Sequence, residues 1–203
     1  MTRMDLTRLW SGLFRLRADR RGIAAVEFAL IAPLLLCVYF VSMELSLGLE
    51  TSKKVNRIGS MVADLVTQQP GKIAKADVEA MMQLGQAILQ PYNRSTPTII
   101  VSEVQITNEA TPKVLVVWSR QIANGVYSTP YVAQSPTTIP DQLKIKGTYL
   151  IRVTSTLNYK PLITWDASQK KTLGLLSAFD SISMGGTYYL RPRMSADVSC
   201  SDC

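Results

Sequence analysis

The chain has 203 residues, enough for one ordinary domain beside a membrane anchor and too few for two sizeable cores. Apolar residues make up 47% of it, which excludes a disordered chain, and the formal charge is +7. That charge is unevenly placed: residues 1–22 hold six arginines against two aspartates, leaving a net +3 spread over the remainder. Such a distribution belongs beside a membrane span, whereas nucleic-acid binding needs basic residues gathered on one face. Histidine is absent, so catalytic triads, histidine bases and most transition-metal sites are excluded or made improbable. No GxGxxG, GxxxxGK(S/T) or GxSxG motif occurs either. The expectation is a protein that is not an enzyme, without cofactor or metal, and without a nucleic-acid partner.

Residues 23–43 read IAAVEFALIAPLLLCVYFVSM and contain a single charge, Glu27. About 20 such residues suffice for a helix to cross a hydrocarbon core of roughly 30 Å. Arg15, Arg17, Arg20 and Arg21 stand before this run, and no basic residue follows it until Lys53. The positive-inside rule therefore places residues 1–22 in the cytoplasm and everything after the span outside. A cleaved secretory signal has a shorter apolar run and a small-residue cleavage site; none follows here, so an uncut signal anchor is one reading. Glu27 is the anomaly. A carboxylate inside an apolar helix is costly and usually functional, unless it sits near the interface and is hydrated there.

The run RRGIAAVEFALIAPLLL resembles the processing site of class III signal peptides: a basic leader, a glycine, then an apolar helix with glutamate at its fifth position. VEFALIAP resembles in particular the TadE/TadG-like pseudopilins, the minor pilins of tight-adherence (Tad) pilus systems. The terminal YYLRPRMSADVSC is similar, more loosely, to the end of a TadE-like chain. The resemblance implies cleavage between Gly22 and Ile23 by a prepilin peptidase, an aspartic protease of the inner membrane. Glycine suits that position because a protease must bind extended backbone closely. Cleavage would leave a free amine on Ile23, and Glu27 would offset that amine on a neighbouring subunit and so set register. The implied partners are the peptidase, other pilins and pseudopilins, the inner-membrane assembly platform and membrane lipid. The implied place is the inner membrane, single-pass with the N-terminus inside, and then the pilus. The division expected is a leader over 1–22, a transmembrane helix over 23–44, its continuation over 45–69 and a head over 70–203. Two alternatives remain: an uncleaved single-span binding or sensor protein, and a membrane-tethered thiol oxidoreductase.

Pro33 interrupts the span and should kink or loosen the helix near Ala29, through ordinary tolerance or for filament packing. Cys37 reads as a small apolar residue. Beyond the span, Val55, Ile58, Val62 and Leu65 recur at helical spacing, with Met61 and Val66 widening the stripe. Glu50 and Lys54 form an i,i+4 pair on the opposite surface. The helix should run to Thr67, where Pro70–Gly71 ends it, and its amphipathic outer half should dock on a sheet. That is the pilin plan: an α+β chain with a long N-terminal helix and a small antiparallel-sheet head.

A second helix is expected over 74–90 on Val78, Met81, Met82, Ile88 and Leu89, ended by Pro91. Strands are expected at 98–107, 113–119 and 148–159, the last alternating Tyr149, Ile151, Val153, Leu157 and Tyr159 against Arg152, Thr154 and Thr156. Residues 120–146, rich in Ser, Thr, Pro and Gln, read as a long loop, either functional or mobile. Residues 161–186 read as irregular, with a short helix possible over 172–179. A final strand should carry Tyr188, Leu190, Met194, Ala196 and Val198, at an edge because of Pro192. The terminal Cys200–Ser201–Asp202–Cys203 reads as a small disulfide loop outside the cytoplasm, or else as a redox pair.

Overall fold

The computed structural model describes residues 22–162 and 182–203. Residues 1–21 of the leader expected over 1–22, and the helix expected over 172–179, lie outside the described residues. Helix α1 runs Ile23–Thr67 and continues through Pro33. It is followed by strand β1 (Lys72–Ile73), helix α2 (Lys75–Ala87), β2 (Thr98–Ile106), β3 (Val114–Ala123) and β4 (Val126–Ser128). A 3-10 turn (Asp141–Leu143), β5 (Tyr149–Tyr159), β6 (Ile182–Leu190) and β7 (Ser199–Cys200) complete the order. Strands β4-β3-β2-β5-β6 form one antiparallel five-stranded sheet, and β1 pairs with β7 in a short parallel ladder. The class is α+β. Two compact units divide the chain, Met1–Leu45 and Ser46–Cys203.

In the second unit, Val55, Ile58, Val62 and Val66 of the stripe read from the sequence lie on the packed face of α1, joined by Ala63, whereas Met61 and Leu65 are half-buried at its margins. Val55, Ile58, Val62, Ala63 and Val66 are all fully buried against Ile99, Val101, Trp118, Ile151, Val153 and Leu157 of the sheet. Glu50 and Lys54 form their ion pair at 3.0 Å on the outer side. Helix α2 joins the same core through Val78 and Met82, and Arg120 of β3 ties it down by donating to Glu79 at 2.6 and 3.0 Å.

The approach of α1 to the sheet turns on Gly59. A Cβ there would lie 2.7 Å from both Ser155 Oγ and the Tyr188 ring, while Ser155 Oγ donates to the Val55 carbonyl at 2.9 Å. Valine at position 59 should push α1 off β5 and β6 and destabilise the head by about 1–3 kcal/mol, the usual cost of overpacking. Thermal unfolding of the full chain in detergent measures this. Gly59→Ala should lose less, because helix propensity returns up to about 1 kcal/mol.

The opposite face of the sheet is also covered. Val104, Ile106, Val114 and Leu150 form a second cluster, closed by Ile139 from the segment after β4. That segment is tied to the edge of β3: Val116 N–H donates to the Ser135 carbonyl, Gln134 N–H to the Val116 carbonyl, and Thr137 N–H to the Val114 carbonyl. Much of the stretch over 120–146, expected as a long functional or mobile loop, is therefore the end of β3, β4 and a packed cover. Arg152, on the face opposite Val153, is buried beneath that cover, donating to Ser102 and Thr137 with its guanidinium 5.0 Å from the Tyr131 ring centroid.

Two further expectations are corrected. Residues 182–186, read as irregular, belong to β6, and the final strand ends at Leu190 instead of continuing to Val198. Arg191–Pro192 breaks it, since proline has no N–H to donate to a ladder. Met194 is consequently exposed, and only Val198 of the later apolar residues is fully buried.

Val198 reaches the core through Glu103, a completely buried carboxylate in β2. Its Oε1 accepts the Val198 N–H at 2.8 Å and its Oε2 accepts the Trp118 Nε1–H at 3.0 Å. Burial pushes this carboxyl up to about 7 from an ordinary 4.5; the Val198 N–H and Trp118 oppose the rise and Asp197 adds to it. The folded state then binds a proton more tightly than the unfolded one. Glu103 contributes stability that is complete below about pH 4.5 and is lost as pH rises through about 7. The loss is of the order of 3 kcal/mol. Melting temperature should fall between pH 5 and pH 8 by this contribution, and Glu103→Gln should flatten the slope in that window.

Candidate assembly helix and leader junction

Ile23 is the first residue of α1, and Gly22 is the turn residue before it, its carbonyl accepting the Val26 N–H at 3.1 Å. The Gly22–Ile23 bond thus lies at the start of α1. Among the described residues, a Cβ on Gly22 would meet no atom within 4 Å.

From Ile23 to Val41 the large apolar side chains of α1 are exposed, Phe28 at 70% and Leu30 at 73%. This part of the helix is long and apolar enough to cross a membrane. Forty-five residues make about 68 Å of helix at 1.5 Å per residue. Glu27 is exposed among these apolar side chains, one helical turn from Ile23, and makes no ion pair among the described residues. Pro33 sits inside the continuous helix, where its ring denies the Ala29 carbonyl its usual donor. Cys37 is exposed and free.

The other expected pair lies elsewhere in the fold. Cys200 and Cys203 are at disulfide distance, with Cα atoms 5.6 Å apart. Their loop docks on α2: Asp202 Oδ1 accepts the Lys75 N–H at 2.9 Å. Helix α2 begins at Ala74 without a side-chain cap of its own, so Asp202 supplies the missing acceptor from the far end of the chain. This is a structural placement at the start of a helix, reached through Asp202 and not through either sulfur.

A polar cavity of about 480 Å³ between the start of β2, the end of β5 and the β3–β4 turn was not read from the sequence. Asn124–Gly125, both with positive φ, is the hairpin turn that brings Asn124 to it. That dipeptide is the signal that could have revealed both β4 and this wall.

A 45-residue helix, apolar and exposed in its first half and packed on a small antiparallel sheet in its second, defines an α+β protein of the membrane-helix type. The family model described as TadE-like protein matches residues 22–57 of the chain. The match begins at Gly22 and ends within α1. No curated protein and no solved structure matches the chain.

Proposed function

We propose that this chain is a minor pilin, processed by a prepilin peptidase after Gly22 and incorporated through α1 into a Tad-type pilus, at its assembly or its tip, for surface adhesion. The observation that carries the reading is the junction itself. The family match starts at Gly22, the helix starts at Ile23, and among the described residues no packing contact requires glycine at position 22. A requirement for extended, unobstructed backbone at the scissile bond accounts for it. The exposed apolar stretch then serves twice, as membrane anchor before assembly and as packing surface among pilin helices afterwards. The peptidase, the other pilins and pseudopilins, and the inner-membrane assembly platform are the partners of this reading. The head lies outside the cytoplasm, where Cys200 and Cys203 are oxidised to each other.

A photo-crosslinking residue at Leu30 or Leu35 tests incorporation in cells carrying the remaining pilus components. The expected products are adducts with pilin helices, together with loss of adherence when the chain is deleted. Adducts with lipid alone and unchanged adherence would favour the uncleaved anchor. Catalysis of thiol exchange by Cys200 and Cys203 would instead favour the oxidoreductase.

A further inference from the structure

The polar cavity of the head carries an inference separate from assembly. Its walls include Arg94, Lys160, Asn124, Asn158, Thr98 and Thr156, and no Asp or Glu lines it among the described residues. Two cations without a carboxylate select an anion. Amide and hydroxyl side chains around them supply donors and acceptors for a ligand that also carries hydroxyls. Ligand pockets of this size are ordinarily apolar, and this one is not.

The site is also preformed. Tyr92 and Tyr159 stack at 5.3 Å, and the Arg94 guanidinium lies 5.1 and 5.8 Å from their ring centroids. Arg94 Nη1 donates to the Lys160 carbonyl at 2.9 Å, and the Lys160 N–H donates to Tyr92 Oη at 2.9 Å. Ser95 Oγ bonds the Asn158 carbonyl, and Thr96 Oγ1 bonds Asn124 Oδ1. One nitrogen of the guanidinium is thus spent on holding the plane, while the plane's other donors are free of partners among the described residues. The exposed Lys160 side chain adds a mobile positive charge beside it. A planar, fixed guanidinium with a lysine near it is the arrangement that recognises phosphate oxygens.

We infer that this cavity binds the phosphate ester of a polyol, a glycerophosphate-type group, with Arg94 and Lys160 on the phosphate and the Asn and Thr side chains on the hydroxyls. Two sources share that chemistry, a soluble ester and the headgroup of phosphatidylglycerol. The test measures hydrogen exchange over residues 93–98 and 156–160 in the full chain. One arm titrates glycerol 3-phosphate into protein in uncharged detergent; the other compares phosphatidylglycerol with phosphatidylcholine nanodiscs. Lys160→Gln breaks no side-chain hydrogen bond or ion pair among the described residues and should weaken protection about tenfold, the order of one charge-assisted hydrogen bond. Lys160→Arg should restore it. Protection by glycerol 3-phosphate assigns a soluble ester, and protection only in phosphatidylglycerol nanodiscs assigns the headgroup. Absence of protection in both arms, protection indifferent to Lys160→Gln, or equal protection by glycerol itself would overturn the inference.

Discussion

Protein recovered from membranes of cells with an active prepilin peptidase should begin at Ile23, with residues 1–22 absent from its mass. The physical case rests on where the bond lies. The Gly22 carbonyl accepts the Val26 N–H of the first turn of α1, and among the described residues no atom lies within 4 Å of a Cβ placed on Gly22. On the helix side of the bond, cutting costs α1 the Val26 hydrogen bond. Gly22→Ala should slow processing, because the added methyl obstructs the protease and not the helix. Gly22→Leu should abolish it and leave the precursor intact in the membrane. Mass spectrometry of the extracted protein reads all three forms. An intact Met1 leader on the unmodified chain would remove the pilin reading, because assembly through a free Ile23 amine requires the cut.

The second large effect is expected at Glu27. Glu27→Ala should leave membrane level and processing near normal while abolishing co-purification with other pilus components and surface adherence. In the single chain Glu27 is exposed and carries no fold contact, so its removal takes nothing from the head. It lies one turn from Ile23, within the first turns of the span, close enough to the interface to be hydrated during insertion. Among packed helices the same carboxylate would face a neighbour's Ile23 amine in apolar surroundings. Removing one partner of a buried ion pair typically costs about 3–5 kcal/mol. That corresponds to roughly two to three orders of magnitude in association. Co-isolation of tagged chains from cross-linked membranes measures it. Equal assembly of variant and wild type would make Glu27 a hydrated interfacial residue, and failed insertion of the variant would refute the argument from the other side.

What could be read in advance follows from the length and periodicity of each segment. Helix α1 was legible to its last residue, because its stripe holds helical spacing and Pro70–Gly71 stops it. The sheet was legible where apolar residues alternate, as in Thr98–Ile106 and Tyr149–Tyr159. Strand β4 was missed because three residues are too few to show alternation, though Asn124–Gly125 marked its turn. The cover over the far face was missed for another reason: it holds its place by backbone hydrogen bonds to β3, which leave little trace in side-chain pattern. Glu103 was readable by parity, since it shares the inward face of Ile99 and Val101. Its acceptance of Val198 from the chain's end was not, because that partner is remote in sequence. The Arg94 cavity draws its walls from segments that only the sheet brings together.

The close seating of α1 on β5 and β6 at Gly59 has a mechanical consequence. A pull along the axis of α1 loads the helix–sheet interface in shear, so Val55, Ile58, Val62 and Val66 resist together and do not peel away in turn. The Tyr188 ring and Ser155, pressed against the notch left by Gly59, act as a detent that opposes sliding by a helical turn. At the far end of the helix, Arg193 grips Asp64 at 2.8 Å and its N–H bonds the Thr67 carbonyl, so tension passes into the C-terminal segment as well. Traction applied to the helix is thereby shared by the sheet and the C-terminal segment, and a force probe should register one cooperative rupture of this region instead of a staircase of small ones.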